Sequence, residues 1–187
     1  MMKGIGTLAS CLSACLLAEP ARAGWWQDAQ DVLSYKVERS RDALSRGRND
    51  LYASGLIWHA PWAYGSERRQ NELNEAAWGG GFGRSVVDAN GNTHSLFAIA
   101  SRDSHFKPQY LAGYQWTTYW PLAGQLRGGL GYSVFAFSRD DIGNWFPIPA
   151  VVPTATLRYR ELELIMTYIP GITQGGNVGY AVVRLSF

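Results

Sequence analysis

The chain of 187 residues is long enough for one domain. Its formal net charge of +2 gives no support for nucleic-acid binding, and no apolar run reaches the roughly 18 residues of a membrane-spanning helix. Aromatic residues and glycine are abundant, with 8 Trp, 10 Tyr and 21 Gly. This composition suits a β-barrel, in which rings pack and glycines let strands bend, so any membrane insertion is expected to use strands.

Residues 1–23 are predicted to be a secretory signal peptide. They contain a lysine, an apolar stretch and a small-x-small cleavage site that ends at Ala23. The alternative is a lipoprotein signal that ends at Cys15 or Cys11, because the residues before Cys15 have the form of a lipobox. Cleavage after Ala23 would leave a mature protein without cysteine, and therefore without disulfide or thiol chemistry.

Residues 24–48 are predicted to form a basic amphipathic helix on the periplasmic side. Trp26, Ala29, Leu33 and Val37 recur at spacings of three and four, which is the period of a helix with one apolar face. Such a helix can lie on a membrane surface, or it can cap the mouth of a barrel. The residues leave both possibilities open.

Residues 49–187 are predicted to form an eight-stranded antiparallel transmembrane β-barrel, because the apolar period changes to two. The last strand places Val183, Leu185 and Phe187 on one face, and a terminal aromatic residue there is typical of outer-membrane barrels. Short and long links alternate, which predicts short periplasmic turns and longer outer loops. The strands are predicted to begin near Tyr52, Glu75, Thr93, Tyr110, Gln125, Ala150, Leu162 and Val178.

This topology brings a histidine, a carboxylate and a hydroxyl to the same rim of the barrel. Strands one and three run in the same direction, and their far ends carry His59 and the pair Asp103 and Ser104. These residue types carry out acyl transfer in many enzymes, although each is also common in solvated loops. His105 could assist or replace His59, whereas His94 lies beside a turn at the opposite rim.

The inward face of the third strand predicts an apolar slot beneath this rim. Asp103 shares that face with Phe97 and Ile99, and large apolar residues are unusual inside a water channel. An eight-stranded barrel has room for packed side chains or for one small ligand. The slot could therefore hold an acyl chain, although these positions also fit a lumen that is filled by side chains.

A series of motifs runs from the first strand to the C-terminus. The motifs are Ile57-Trp58-His59-Ala60, Asn74-Glu75, Trp78-Gly79-Gly80-Gly81-Phe82-Gly83, Arg102-Asp103-Ser104, Ala112-Gly113-Tyr114, Met166-Thr167-Tyr168-Ile169-Pro170-Gly171 and Gly176-Asn177-Val178. In order and spacing this series resembles the lipid A palmitoyltransferase family, PagP. The resemblance covers essentially the whole barrel.

The resemblance implies an outer-membrane enzyme whose active site faces outward. Its reaction would move a palmitoyl chain from the sn-1 position of a phospholipid to a hydroxyl group on lipid A. The family's catalytic residues fall on His59, Asp103 and Ser104, with His59 as general base and the others as positioning or proton-relay groups. No metal-ligand cluster or phosphate-binding loop is predicted, so no cofactor is expected. The expected partners are the bilayer, the phospholipid donor and lipid A, and the protein is expected to be a monomer or homodimer.

Two features of the family concern lipid access and chain length. Prolines that open lateral gates fall on Pro153 and Pro170, which predicts a gap between strands six and seven because proline lacks a backbone donor. A second pair falls on Ser54 and Ala77, so no proline gate is predicted there. The glycine at the family's pocket floor falls on Gln115, an inward position, which predicts a chain of palmitoyl length or somewhat shorter.

Two other interpretations are compatible with the residues. A non-enzymatic eight-stranded barrel for adhesion or envelope integrity would fill its lumen with a polar network, with no empty apolar slot beside His59 and Asp103. An enzyme of the same kind could also use another acceptor, such as phosphatidylglycerol.

Overall fold

The computed structural model describes residues 20–63, 75–76, 78–103, 105–170 and 177–187. They form the elements α1 (Pro20–Arg46), β1 (Arg48–His59), β2 (Gly79–Val87), β3 (Thr93–Arg102), β4 (Pro108–Ala123), β5 (Leu126–Ser138), β6 (Ile148–Tyr159), β7 (Leu162–Ile169) and β8 (Val178–Ser186). The chain divides into two compact units, residues 1–38 and residues 39–187, and the strands belong to the second. Both cysteines lie outside the described residues, so signal processing stays a prediction.

The strands close into a barrel in which each strand pairs with its neighbours in sequence and β1 pairs with β8. Every pairing is antiparallel, which confirms the predicted fold class of an eight-stranded barrel with one N-terminal helix. The helix begins and ends earlier than the predicted range of 24–48, and β2 begins later than the predicted Glu75. No helix in the described part of the chain is both long and apolar enough to cross a bilayer.

Polar and apolar side chains are distributed inside out compared with a soluble protein. Large apolar residues such as Phe82, Leu130 and Val151 are exposed on the outer face of the strands. Charged residues such as Glu163 and Arg184 are buried in the lumen. An outward apolar band around a polar interior is the arrangement of barrels that stand in lipid.

A β-bulge at Gly55 changes the inward face of β1. The register between β1 and β8 shifts between Ser54 and Leu56, and the buried positions change from even to odd numbers at that point. Because a bulge inserts one extra residue, every later side chain moves to the opposite face. Tyr52 and His59 both point inward for this reason, although strict alternation would place them on opposite faces.

We call the end of the barrel where β1 and β3 finish the loop end, and the end where β1 begins and β8 finishes the turn end. Near the turn end the lumen is filled by a polar network around Glu163. Its carboxylate pairs with Arg184 and lies 3.2 Å from Arg158 Nη2, and it accepts a hydrogen bond of 2.7 Å from the Tyr119 hydroxyl. Arg184 also donates to the Ser95 hydroxyl. We call these five residues the Glu163 network.

The ladder between β6 and β7 stops before the strands do. Its last pair towards the loop end is Thr154 with Thr167, although β6 starts at Ile148. Pro153 is the first β6 residue beyond the ladder, and its carbonyl accepts a hydrogen bond of 2.7 Å from the Thr167 hydroxyl. Pro170 directly follows the last residue of β7. We call this opening the β6–β7 gap.

The ladder between β1 and β2 also ends early, at Ser54 and Gly79. Beyond it, the backbone N–H of Ile57 donates to the carbonyl of Glu75 at 2.9 Å. The first strand is therefore tied to the chain segment before β2, and Ala77 of that segment lies outside the described residues.

Candidate active site

A cavity of about 610 Å³ occupies the loop-end half of the lumen. This volume lies in the range of sites that bind small ligands. Most of its wall is apolar, and the apolar side chains include Ile57, Phe97, Ile99, Leu111, Phe135 and Val182. We call it the acyl cavity, because a space of this volume and apolar lining could accept a hydrocarbon chain.

His59, at the last position of β1, lines the acyl cavity with a ring that is only 1% exposed. Its Nδ1 atom lies 3.7 Å from Oε1 of Glu75. Glu75 is held beside β1 by the hydrogen bond between its carbonyl and the N–H of Ile57. The Gly55 bulge thus directs the imidazole into the barrel, and the segment before β2 supplies a carboxylate beside it.

Asp103 directly follows β3 and organises the turn into β4. Its Oδ1 atom accepts hydrogen bonds of 2.8 Å from the backbone N–H groups of His105 and Lys107. Its Oδ2 atom lies 3.0 Å from Nη2 of Arg139. An aspartate that binds the backbone a few residues ahead is a common way to fix a turn. Ser104, the third predicted catalytic residue, lies outside the described residues.

Arg139 connects Asp103 to the wall of the acyl cavity. Its guanidinium lines the cavity and binds Asp141 through both carboxylate oxygens, at 2.9 and 2.6 Å. These bonds hold the pKa of Asp141 below its usual value. His105 joins the group with Nδ1 at 3.8 Å from Asp141 Oδ2. The side-chain ligand atoms of Asp103, His105 and Asp141 lie close enough together to hold a metal ion. Arg139, however, already forms ion pairs with both carboxylates.

Sequence reasoning did not identify Arg139 as a residue of the site. A signal was present, because Ser133, Phe135 and Phe137 line the cavity from alternate positions of β5. Arg139 is the next position on that face, just past the end of the strand. The same alternation extended by one step would have placed its side chain at the mouth of the cavity.

The predicted pocket residues line the same cavity. Phe97 lies with its ring centre 6.0 Å from that of Tyr52, and Ile99 packs in the same buried cluster. Gln115 points inward, as predicted, and is 2% exposed. Its Nε2 atom donates a hydrogen bond of 3.3 Å to the Thr117 hydroxyl. A buried amide with a partner inside the lumen is what the sequence led us to expect.

The acyl cavity extends to the β6–β7 gap. Val151 of β6 lines the cavity although it is 68% exposed on the outer face of the barrel. Thr167 and Ile169 of β7 line the cavity from the other side of the gap. The predicted gate residues Pro153 and Pro170 do not line the cavity themselves, but their chain neighbours Val152, Thr154 and Ile169 do.

His94 belongs to the opposite end of β3. Its Nε2 atom lies 3.0 Å from Oδ2 of Asp88, and its Nδ1 atom lies 2.8 Å from the Tyr114 hydroxyl. Asp88 in turn accepts hydrogen bonds of 2.9 Å from the backbone N–H groups of Asn90 and Asn92. His94 therefore supports the turn between β2 and β3, and it takes no part in the acyl cavity.

Comparison with known proteins gives consistent matches. The model of the family described as "Antimicrobial peptide resistance and lipid A acylation protein PagP" matches residues 39–184. A protein of Legionella longbeachae is 36% identical over 170 residues, which cover 90% of this chain and 72% of that protein. One from Bordetella parapertussis is 36% identical over 176 residues, covering 94% and 96%, and one from Legionella pneumophila is 39% identical over 153 residues, covering 80% of each. All three are named "Lipid A acyltransferase PagP". The chain belongs to the PagP family.

Proposed function

We propose that this protein is an outer-membrane acyltransferase that moves a fatty acyl chain from the sn-1 position of a phospholipid to a hydroxyl group of lipid A. Family membership supports lipid A acylation as the reaction class. The observation that carries the proposal is the placement of His59, a buried imidazole that lines an apolar cavity of about 610 Å³. Acyl transfer between lipids requires a proton acceptor for the attacking hydroxyl and a space for the hydrocarbon chain, among other features.

In the proposed reaction His59 acts as general base. It takes the proton of the acceptor hydroxyl as that oxygen attacks the ester carbonyl of the donor. The bond between the carbonyl carbon and the glycerol oxygen then breaks, and the proton is returned to the lysophospholipid that leaves. Glu75, at 3.7 Å from the imidazole, is placed to stabilise the positive charge that His59 gains.

Asp103 and Ser104 are proposed as positioning or proton-relay groups. The carboxylate of Asp103 is already bound by two backbone N–H groups and by Arg139, which supports a positioning role. Through these bonds it fixes the turn that carries His105 and Lys107.

We also propose that the donor lipid reaches the cavity through the β6–β7 gap. The ladder ends at Thr154 and Thr167, and Pro153 offers no N–H to extend it. The exposed Val151 lines the cavity at this point, so a chain could pass from the bilayer to the cavity without crossing a hydrogen-bonded ladder. The gate formed by Pro153 and Pro170 supplies the donor in this scheme.

Acyl-chain length is proposed to be set by Gln115. In the register it lies between Ser95 of β3 and Ser133 of β5, and Ser95 belongs to the Glu163 network. Gln115 therefore stands where the apolar cavity meets the polar network. An inward glutamine at that boundary leaves less depth than a glycine, so the preferred chain is palmitoyl or somewhat shorter.

The family and the barrel fold are consistent with an outer-membrane location. We propose that residues 1–23 direct export, that the loop end faces outward and that the protein acts as a monomer or homodimer. The alternative of a non-enzymatic adhesion barrel predicts a polar lumen throughout. In the described residues only the turn-end half of the lumen has that character, and the acyl cavity argues for the enzyme.

Mass spectrometry of lipid A tests this proposal. Cells that express the wild-type protein should add one acyl chain to lipid A. The His59→Ala variant should transfer acyl chains roughly 10²–10⁴-fold more slowly than the wild type, because the general base is missing. The barrel should still fold, as judged by its heat-modified migration on a gel. His105→Ala is the comparison variant and should keep most of the activity. Near-wild-type acylation by His59→Ala would reject His59 as the base.

A further inference from the structure

A second cavity, of about 400 Å³, opens at the turn end of the barrel. Among the residues that the structure describes, five arginines and one glutamate line it. The arginines are Arg46, Arg48, Arg127, Arg158 and Arg160. We call this cavity the basic pocket. It lies at the opposite end of the lumen from His59, and the proposed acyl transfer makes no use of it.

Three of these arginines are paired with carboxylates. Arg46 lies 2.9 Å from Asp42, Arg48 lies 2.6 Å from Glu161, and Arg158 shares Glu163 with Arg184. Glu163 is shared by two guanidinium groups, and a further buried carboxylate, Asp50, accepts hydrogen bonds from Ser85 and Ser186 of the pocket wall. The positive charge of the pocket therefore depends on the two remaining arginines.

The other two arginines, Arg127 and Arg160, have no acidic partner in the described part of the chain. Arg160 donates to a neutral oxygen, Oε1 of Gln125, at 2.5 Å, and its guanidinium lies 5.5 Å from the centre of the Tyr159 ring. Arg127 forms no hydrogen bond or ion pair with the described residues. Arg127 lies on β5 and Arg160 in the turn that follows the neighbouring β6, and both line the basic pocket.

A buried hydroxyl gives a second, independent sign of a ligand. Thr93, the first residue of β3, lines the basic pocket with a side chain that is only 1% exposed. Its Oγ1 atom has no hydrogen-bond partner among the described residues. Buried hydroxyl groups are nearly always satisfied, and an unsatisfied one is costly, so a missing acceptor is expected here.

We propose that the basic pocket binds a phosphate-bearing anion. Guanidinium groups match phosphate oxygens in geometry and bind them through paired charge-assisted hydrogen bonds, and the Thr93 hydroxyl can donate one more. The volume of about 400 Å³ admits a group of headgroup or pyrophosphate size. The same chemistry is offered by the headgroup of an anionic phospholipid and by a soluble phosphate compound.

Two binding measurements on the full-length folded protein in a nonionic detergent distinguish these sources. In the first, inorganic pyrophosphate is titrated by calorimetry at low salt. In the second, the probe is a detergent micelle that carries phosphatidylglycerol, with phosphatidylcholine micelles as the reference. Saturable binding is expected in at least one arm and should weaken as salt is added. Pyrophosphate binding alone would indicate a soluble compound, and phosphatidylglycerol binding alone would indicate a lipid headgroup.

Variants show whether the binding occurs in this pocket. Arg127→Gln should weaken binding about tenfold or more, because it removes a charge-assisted contact, and its side chain has no partner among the described residues whose loss would disturb folding. Thr93→Val keeps the shape of the side chain and should weaken binding severalfold. Arg41→Gln removes the same charge from an exposed helical position outside the pocket and should change binding less than twofold.

The absence of saturable binding in both arms would overturn the proposal. Equal weakening by Arg41→Gln and Arg127→Gln would also overturn it, because the effect would then follow from the overall charge and not from the pocket. Phospholipids are also expected to enter the acyl cavity under the proposed function, so phosphatidylglycerol binding that Arg127→Gln leaves unchanged would overturn the proposal as well. The pyrophosphate arm does not involve the acyl cavity, and its outcome is independent of the proposed enzymatic function.

Discussion

The two halves of the barrel lumen are built on the same strands and differ in what fills them. In the loop-end half, Phe97, Ile99 and Phe135 surround a cavity of about 610 Å³. In the turn-end half, Glu163 and Arg184 fill the space together with the polar groups that bind them. The alternation of the strands is the same in both halves, so only the inward side chains decide whether the lumen is open or filled.

This difference indicates that the turn-end half of the lumen contributes mainly to stability and the loop-end half mainly to function. Empty space in a protein interior removes packing contacts and lowers stability, so a barrel with a large cavity needs strong interactions elsewhere. The Glu163 network supplies contacts between β3, β4, β6, β7 and β8 across the lumen. We infer that the turn-end half holds the barrel together and leaves the loop-end half free to accept a lipid chain.

The largest expected effect comes from breaking the Glu163 network. Glu163→Gln removes the charge that balances Arg184 and Arg158, and an uncompensated buried charge typically costs about 3–5 kcal/mol of stability. The measurement is guanidinium-induced unfolding of the barrel in detergent. Acyl-chain selectivity of the folded fraction should stay unchanged, because the acyl cavity is not touched.

Glu161→Gln is the matched control for that experiment. Its side chain is 53% exposed and pairs with Arg48, and exposed pairs contribute only about 0–1 kcal/mol. If the two variants had similar unfolding midpoints, the Glu163 network would not be the main stabilising feature of the turn-end half. A change in chain selectivity with Glu163→Gln would contradict the separation of the two halves.

The next effect concerns the boundary between the halves. Gln115→Gly should deepen the acyl cavity and shift the preference towards longer chains. Each buried methylene contributes about 0.8 kcal/mol, so two methylenes change the relative rates of competing chains by roughly tenfold. The measurement is competition between phosphatidylcholine donors of mixed chain length. Gln109→Gly, on the same strand near the mouth of the cavity, is the control and should leave the profile unchanged.

Two results together would show that Gln115 does not form the floor of the acyl cavity. The wild-type protein would use palmitoyl donors as readily as shorter ones, and Gln115→Gly would leave the chain-length profile unchanged. The profile of Gln115→Gly also tests whether the polar network marks the end of the cavity. A preference for much longer chains would mean that the network rearranges when the amide is removed.

The smallest expected effect is on lipid access through the β6–β7 gap. Replacing Pro153 and Pro170 together by alanine restores two backbone donors and should let the ladder extend beyond Thr154 and Thr167. Turnover in bilayers should fall severalfold, while thermal stability should rise or hold. Pro121→Ala, at the turn end of β4, is the control and should keep wild-type turnover.

The same double variant should be measured in detergent as well as in bilayers. In detergent micelles a lipid is less constrained in its approach, so the loss of turnover should be smaller. Unchanged turnover in both media would show that lipid does not pass between β6 and β7. A sharp fall in thermal stability would show that the two prolines stabilise the fold instead of keeping β6 and β7 apart.

The sequence by itself determined the barrel and most of its facing pattern. Alternation of polar and apolar residues predicts strands and their faces because side chains in a strand point to opposite sides with a period of two. For this reason Phe97, Ile99 and Gln115 were assigned to the lumen correctly. The series of motifs around His59 and Asp103 predicted the family, which the matches confirm.

Only the tertiary structure decided how the rim residues are arranged. The Gly55 bulge turns His59 inward, and a period of two cannot reveal a bulge because the extra residue is defined by pairing with β8. The contact between Asp103 and Arg139 joins the ends of β3 and β5, which no local pattern connects. The gap between β6 and β7 was predicted from Pro153 and Pro170, but the residues at which the pairing stops, Thr154 and Thr167, depend on the register of the two strands. Contacts between distant segments depend on register, and register is fixed only when the barrel closes.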